Sequence, residues 1–431
     1  MTTFYRNPLF ISAAIALLLG IAALNFFGAL EFYIGLAVSI LLFGWGLHDA
    51  KKSHNQLMDN IAELKEDIIR IEEFVIHRPP TAEEFFESLG KEEKKLAEPV
   101  RLQIIDATNL MNSQNFPEAE KLLEPLTRVF PRNTALLTSL GYTYMGQRKY
   151  FEAAKIYEEV VQRHPEDTLA LNNLGSVLFG LGDFEKALGA FDRALKNEPR
   201  HPLLHYSRAN PLRELRRYDE AEISLRKAIE IWPDFSWAKN NLGVILDLTG
   251  KPNEAEQLYR EVIKHDLSFA LPYRNIGLIR EEQGKLIEAE EYFRKSIEVD
   301  HSYTDGYISL ASLLEKQGKH EEALKVFQSA IETDPENPRI YNNLGCIYAK
   351  HSDFTNAILA LSRAISFNPR YPRAYLNLGE IYFHIRQDTL ARSCLQKYLE
   401  FDEKNYPIGR RIAEVKLAEL ERESQTDSNV E

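Results

Sequence analysis

Residues 338–371 read PRIYNNLGCIYAKHSDFTNAILALSRAISFNPRY, with Gly345, Ala357, Leu361 and Pro369 as fixed points. The same series recurs along the chain. Glycines stand at 141, 175, 243, 277, 345 and 379, spaced by 34 or 68, and Ala209 and Ala311 fill the two skipped places. Twelve residues after each comes an alanine, at 153, 187, 221, 255, 289, 323, 357 and 391. Four further on stands a large apolar residue: Tyr157, Phe191, Leu225, Tyr259, Phe293, Phe327, Leu361 and Leu395. Proline closes the units at Pro165, Pro199, Pro233, Pro335 and Pro369. A fixed period of this length is the mark of a stacked repeat, in which each unit buries its apolar face only against its neighbours.

Each unit reads as two antiparallel helices. Small residues at the glycine and alanine positions let the helices approach closely, the large residue fills the space towards the next unit, and proline stops the second helix. With position one at Val100, the phase runs without insertion through residue 405 as nine units of 34. The first, Val100–Asn133, keeps only Ala107, Ala119 and Pro131. The motifs "Leu344-Gly345-Cys346-Ile347-Tyr348" and "Ala323-Leu324-Lys325-Val326-Phe327" resemble the tetratricopeptide repeat (TPR). That resemblance implies an all-α fold, a right-handed TPR solenoid of about nine helix-turn-helix repeats. After it, 406–431 reads as a polar capping helix over Arg410–Arg422 and a disordered tail.

The chain begins differently. From Leu9 to Leu47 it is almost wholly apolar, interrupted by Asn25 and Glu31. A membrane span needs about 20 residues, so residues 1–50 predict a two-helix transmembrane hairpin, about 9–27 and 32–47. Arg6 before it, Lys51 and Lys52 after it and no basic residue in the turn place both ends, and the repeats, on the cytoplasmic side of an integral membrane protein. A cleaved signal peptide, or one long span with an interfacial remainder, are the other readings. Residues 51–80 carry Leu57, Ile61, Leu64, Ile68, Ile71 and Val75 at alternating four and three, a juxtamembrane heptad helix. It predicts a coiled-coil homodimer through Leu57–Val75, opposed by Asp67 facing Glu72; an amphipathic helix lying on the membrane or on the first repeats is the equal alternative. Pro79-Pro80 ends it, and Thr81 with Glu84 reads as the capping box of a connecting helix over 81–99.

The TPR resemblance implies that positions two, five, six, nine, twelve and thirteen of each unit face a concave groove. Position six holds Asn173, Asn241, Asn275, Asn343 and Asn377; position five holds Asn172, Asn240, Arg274 and Asn342; position two holds Trp237, Arg339 and Arg373. An asparagine amide both donates and accepts, so such a column can pair with successive peptide groups of an extended chain. It is similar to the asparagine ladder in the TPR region of O-linked N-acetylglucosamine transferases, broken here by Ser139, Ser207 and Ser309. The likeness covers the repeats only, and with fewer than thirty residues after the last repeat no transferase domain is expected. Local hydrogen bonding is the competing account of the asparagines. The Lys and Asn clamp of chaperone-binding TPR domains is not in register, since Leu278 stands where it would need Asn.

No phosphate loop, zinc-protease motif, paired Cys-x-x-Cys or nucleophile elbow is found. His201 and His205 lack a third ligand, and Cys346 and Cys394 read as small apolar fillers. With 52 basic against 64 acidic residues the net charge is −12, which disfavours a nucleic-acid partner. The expected role is a non-catalytic, cofactor-free scaffold that holds an extended segment of a partner protein. The alternative is an accessory subunit of a membrane-bound enzyme acting through its convex face. Two irregularities stand out: Pro211 falls inside a first helix, and Leu267 and His301 replace the closing proline.

Overall fold

The computed structural model of the protein describes residues 100–402 and 407–428. These form nineteen α-helices and no strand. In chain order they are α1 (Arg101–Asn112), α2 (Phe116–Val129), α3 (Thr134–Gly146), α4 (Tyr150–Arg163), α5 (Thr168–Gly180), α6 (Phe184–Asn197), α7 (Pro202–Glu214) and α8 (Tyr218–Ile231). There follow α9 (Ser236–Leu248), α10 (Pro252–His265), α11 (Ala270–Glu282), α12 (Leu286–Val299), α13 (Thr304–Lys316), α14 (His320–Thr333), α15 (Pro338–Lys350), α16 (Phe354–Phe367), α17 (Pro372–His384), α18 (Asp388–Phe401) and α19 (Pro407–Ser428). Consecutive pairs make helical hairpins 1 to 9. The chain divides into two compact units after Pro233; α1–α8 lie in the first and α9–α19 in the second.

The turn inside each hairpin has one design. Position fifteen has a positive φ in all nine: Gln114, Arg148, Gly182, Arg216, Gly250, Gly284, Gly318, Ser352 and Arg386. Its N–H bonds the carbonyl of position twelve, as in Arg148 to Met145 at 2.9 Å. The next N–H bonds position eleven, as in Lys149 to Tyr144 at 2.9 Å. This is a Schellman cap, which satisfies the last carbonyls of the first helix and reverses the chain in three residues.

Packing within a hairpin corrects one expectation. The large residue of the second helix does not simply fill space towards the next unit; it lies on the glycine of its own hairpin. A Cβ on Gly175 would come 2.7 Å from the Phe191 ring, on Gly243 2.5 Å from Tyr259, and on Gly345 2.7 Å from Leu361. Those distances are sub-contact, so position eight must be glycine, or alanine where the facing side chain leaves room, as at Ala209 and Ala311. The position-twenty alanines from Ala119 to Ala391 are 0% exposed. Each fully buried Tyr, Phe or Leu contributes about 1.5–3 kcal/mol.

The second helices of hairpins 5 and 6 stop at the same repeat position as the rest, although they lack the proline. There, Asp266 Oδ1 accepts from the Ser268 N–H at 2.9 Å, and Asp300 Oδ1 from the Ser302 N–H at 2.8 Å. An Asx turn replaces the proline, the same outcome reached by a side-chain hydrogen bond rather than a locked φ. Helix α7 runs through Pro211 from Pro202 to Glu214, with Pro211 buried.

The integral-membrane location is corrected. Among the described residues no helix is long and apolar enough to cross a membrane. The repeat helices have at most 14 residues, which span about 21 Å against an apolar bilayer core of about 30 Å. Helix α19 has 22 residues but carries Arg410, Arg411, Glu414 and Lys416. The segments 9–27 and 32–47, the heptads 57–75 and the capping box at Thr81 lie outside the described residues.

Candidate functional site

The first helix of each hairpin projects position two near its start, five and six in its middle, and twelve and thirteen at its end. Of the eleven candidate groove residues, Asn172, Asn173, Asn240, Asn275 and Asn342 are buried. Asn241, Arg274, Asn343 and Asn377 are partly exposed, and Arg339 and Arg373 exposed.

The buried asparagines tie neighbouring first helices together. Asn275 Nδ2 donates to Asn240 Oδ1 at 3.1 Å, and Asn377 Nδ2 to Asn342 Oδ1 at 2.9 Å. Both bonds join position six to position five of the preceding hairpin. Arg274 Nε makes the same link to Ser309 Oγ at 2.9 Å. The position-six amides also serve the buried tyrosines: Asn173 hydrogen-bonds Tyr157, and Asn275 hydrogen-bonds Tyr259. Burial pushes both phenols well above their ordinary range, with smaller pushes from Tyr142 on Tyr157 and from Asp247 on Tyr259. They therefore stay neutral donors.

Asn343 departs from this scheme. Position five of the preceding hairpin is Ile308, which has no acceptor. Asn343 Nδ2 turns back to the Arg339 carbonyl of its own helix at 2.8 Å. Asn377 Nδ2 is occupied by Asn342 and by Cys346 Sγ at 3.2 Å. The amide carbonyls of Asn343 and Asn377 thus remain as acceptors on adjacent helices. At Asn377 opens a depression of about 510 Å³ lined also by Cys346, Glu380, Phe383, His384 and Lys416, among others. Lys416 of α19 stands 4.4 Å over the Phe383 ring and 3.8 Å from Glu380. Arg339 pairs with Asp305 at position two, and Trp237 packs on Phe269 at 4.6 Å. Cys394 is the buried filler expected of it, whereas Cys346 is exposed at the depression.

Among the described residues no third ligand side chain converges on His201 and His205. His205 Nε2 meets the Pro199 carbonyl at 2.9 Å, and burial lowers both imidazoles' proton affinity. Among the described residues the one group of three converging ligand side chains is Glu315, His320 and His351, which sequence reasoning missed. The available signal was position seventeen, held by Phe116, Tyr150, Phe184, Tyr218, Pro252, Leu286 and Phe354 in seven hairpins and by histidine at 320.

Family models agree with this geometry. One described as tetratricopeptide repeat matches residues 107–168, 138–190 and 172–234. Others of that description match 236–264, and 273–303 with 372–405. One described as TPR repeat matches 313–352 and 345–385. The hairpins are tetratricopeptide repeats. No curated protein matches the chain. Among solved structures, a crystal structure of MamA is 22% identical and covers 38% of this chain and 95% of its own, with a TM-score of 0.34. The Cut9-Hcn1 hetero-tetramer of the APC/C is 16% identical and covers 81% of this chain and 69% of its own, with a TM-score of 0.41. A TPR array is a protein-binding scaffold by family habit, and no enzymatic family is matched.

Proposed function

We propose that this TPR protein is a non-catalytic scaffold that holds an extended segment of a partner protein against the first helices of hairpins 8 and 9. The observation that carries it is the pair of acceptors, Asn343 and Asn377, on neighbouring first helices, with Asn377 at the depression. Neighbouring helices pack about 8–10 Å apart, and an extended polyproline-II chain rises about 3.1 Å per residue with three residues per turn, so every third residue faces the same side. One bound peptide N–H in every three can therefore meet successive asparagine carbonyls. Contacts of this kind read backbone rather than side chains. Selection then comes from the depression, where Phe383 and Ile381 give an apolar floor and Lys416 and Glu380 a charged rim. Asn241, Arg339 and Arg373 extend the same face, while Asn240, Asn275 and Asn342 tie the first helices of the second unit together. The likeness to the transferases' asparagine ladder rests on positions five and six alone.

The test is a panel of unstructured peptides, each with one bulky apolar residue, titrated against the full chain and against Asn343→Ala/Asn377→Ala. The double change is expected to weaken the best binders at least about tenfold, the equivalent of about 1.4 kcal/mol, with the melting temperature held. Unchanged binding in a folded variant would sink the reading.

A further inference from the structure

We propose that Glu315, His320 and His351 form a binding site for one divalent transition-metal ion of the zinc class. The three side chains come from three elements: the last turn of α13, the first residue of α14, and the residue capping α15. They join hairpins 7 and 8 within the second compact unit. His320 Nδ1 lies 2.7 Å from Glu315 Oε1, and His351 Nε2 lies 2.9 Å from Glu315 Oε2. The imidazole rings are 3.8 Å apart between centroids. One ligand atom from each residue falls within 4.8 Å of the others. Ligands at about 2.0–2.2 Å around a tetrahedral zinc sit about 3.4 Å from one another, so a small side-chain adjustment closes the site.

The donor set suits such an ion. Two imidazole nitrogens and one carboxylate oxygen are borderline ligands that favour zinc and its first-row neighbours over calcium or magnesium. Three protein ligands leave the fourth position of a tetrahedral ion to water. The Glu315 side chain is only 6% exposed, and a carboxylate so enclosed is costly unless positive charge or donors reach it. Lys350 Nζ is 3.4 Å from Oε2, but its side chain is 60% exposed and free to swing outward.

The repeat supplies its own control. The residues equivalent to Glu315, His320 and His351 are Glu281, Leu286 and Gln317 at the joint before, and Ala349, Phe354 and Ile385 at the joint after. Neither set brings three ligand side chains together. Only at this joint do all three places carry metal-ligating groups. A histidine where most hairpins place an apolar residue gives up apolar packing, which ligation of an ion offsets. Ligation through these nitrogens moves each imidazole's proton to its other ring nitrogen, and protons compete with the ion for the ligands, so affinity falls with acidification.

The experiment uses the full untagged chain, stripped with a chelator and titrated with Zn²⁺ alone by calorimetry. The expected result is one saturable site per chain. His320→Phe installs the residue that hairpins 3 and 8 already use, so it folds; Glu315→Gln keeps the shape of the carboxylate. Each should weaken the site at least about a hundredfold. Zn²⁺ should raise the melting temperature of the unaltered chain and leave that of His320→Phe where it is. Absence of a saturable one-to-one site, or equal affinity in both variants, overturns the proposal.

Discussion

Asn173 and Asn343 occupy the same place in the repeat, each directly after another asparagine, and they have opposite fates. Asn173 is 1% exposed and serves the buried Tyr157 hydroxyl. Asn343 is partly exposed and bonds only its own helix. Position twenty-four of the preceding hairpin decides part of this, since Tyr157 offers a hydroxyl and Phe327 offers none. At position five Ile308 has no acceptor for Asn343, whereas Asn240 and Asn342 accept from Asn275 and Asn377. A repeat motif therefore states which side chain is present, and its neighbour 35 residues away states whether that side chain is structural or available.

The comparison can be broken at several strengths. The largest effect belongs to the contact both hairpins share: Gly175→Leu drives a side chain into Phe191 and should cost about 3 kcal/mol or more, read as a lost or sharply lowered chemical-denaturation midpoint. Next comes Asn173→Ala, which removes a bond from a buried hydroxyl and should cost about 1–3 kcal/mol. Asn343→Ala should change stability by less than about 0.5 kcal/mol by the same measurement. Equal losses at Asn173 and Asn343 would end the distinction.

A pH titration extends the contrast to position twelve. Burial pushes the Glu315 carboxyl up, but hydrogen bonds from His351 and His320 outweigh it and hold the group below its ordinary 4.5. A depressed folded value means that its stabilisation is complete above pH 4.5 and is lost as pH falls through the folded value. Glu315→Gln should flatten that acid limb; an unchanged acid slope would show that the histidines do not hold the charge. The smallest effect is at the turn. Arg148, Arg216 and Arg386 carry φ values of 58°, 57° and 61°, and glycine there should add up to about 1 kcal/mol each, read from the melting temperature.

Much of the fold was legible because steric size leaves a mark in composition. Only small residues fit at positions eight and twenty, so they recur as Gly and Ala. The turn was half legible. Gly182, Gly250, Gly284 and Gly318 announce a positive φ, but Gln, Arg and Ser tolerate it elsewhere and hide the series. The closing turn was legible as proline and hidden where Asp266 or Asp300 does the same work by a hydrogen bond. The burial of the asparagines was not legible, because it depends on pairs across hairpins. The apolar run at 9–47 drew the reading towards a membrane on hydropathy alone, and the described helices are too short or too polar to carry it.

The joint between hairpins 7 and 8 is fastened unlike its neighbours. The asparagine link in the middle of the first helices is missing at Ile308, while Arg339 and Asp305 pair at one end and His351 and Glu315 at the other. Two bolts at the ends and a greasy middle resist separation but leave sliding along the apolar seam less opposed. Strain applied to the array would then concentrate here, and the bolt made of histidine and carboxylate is the one that acid can draw.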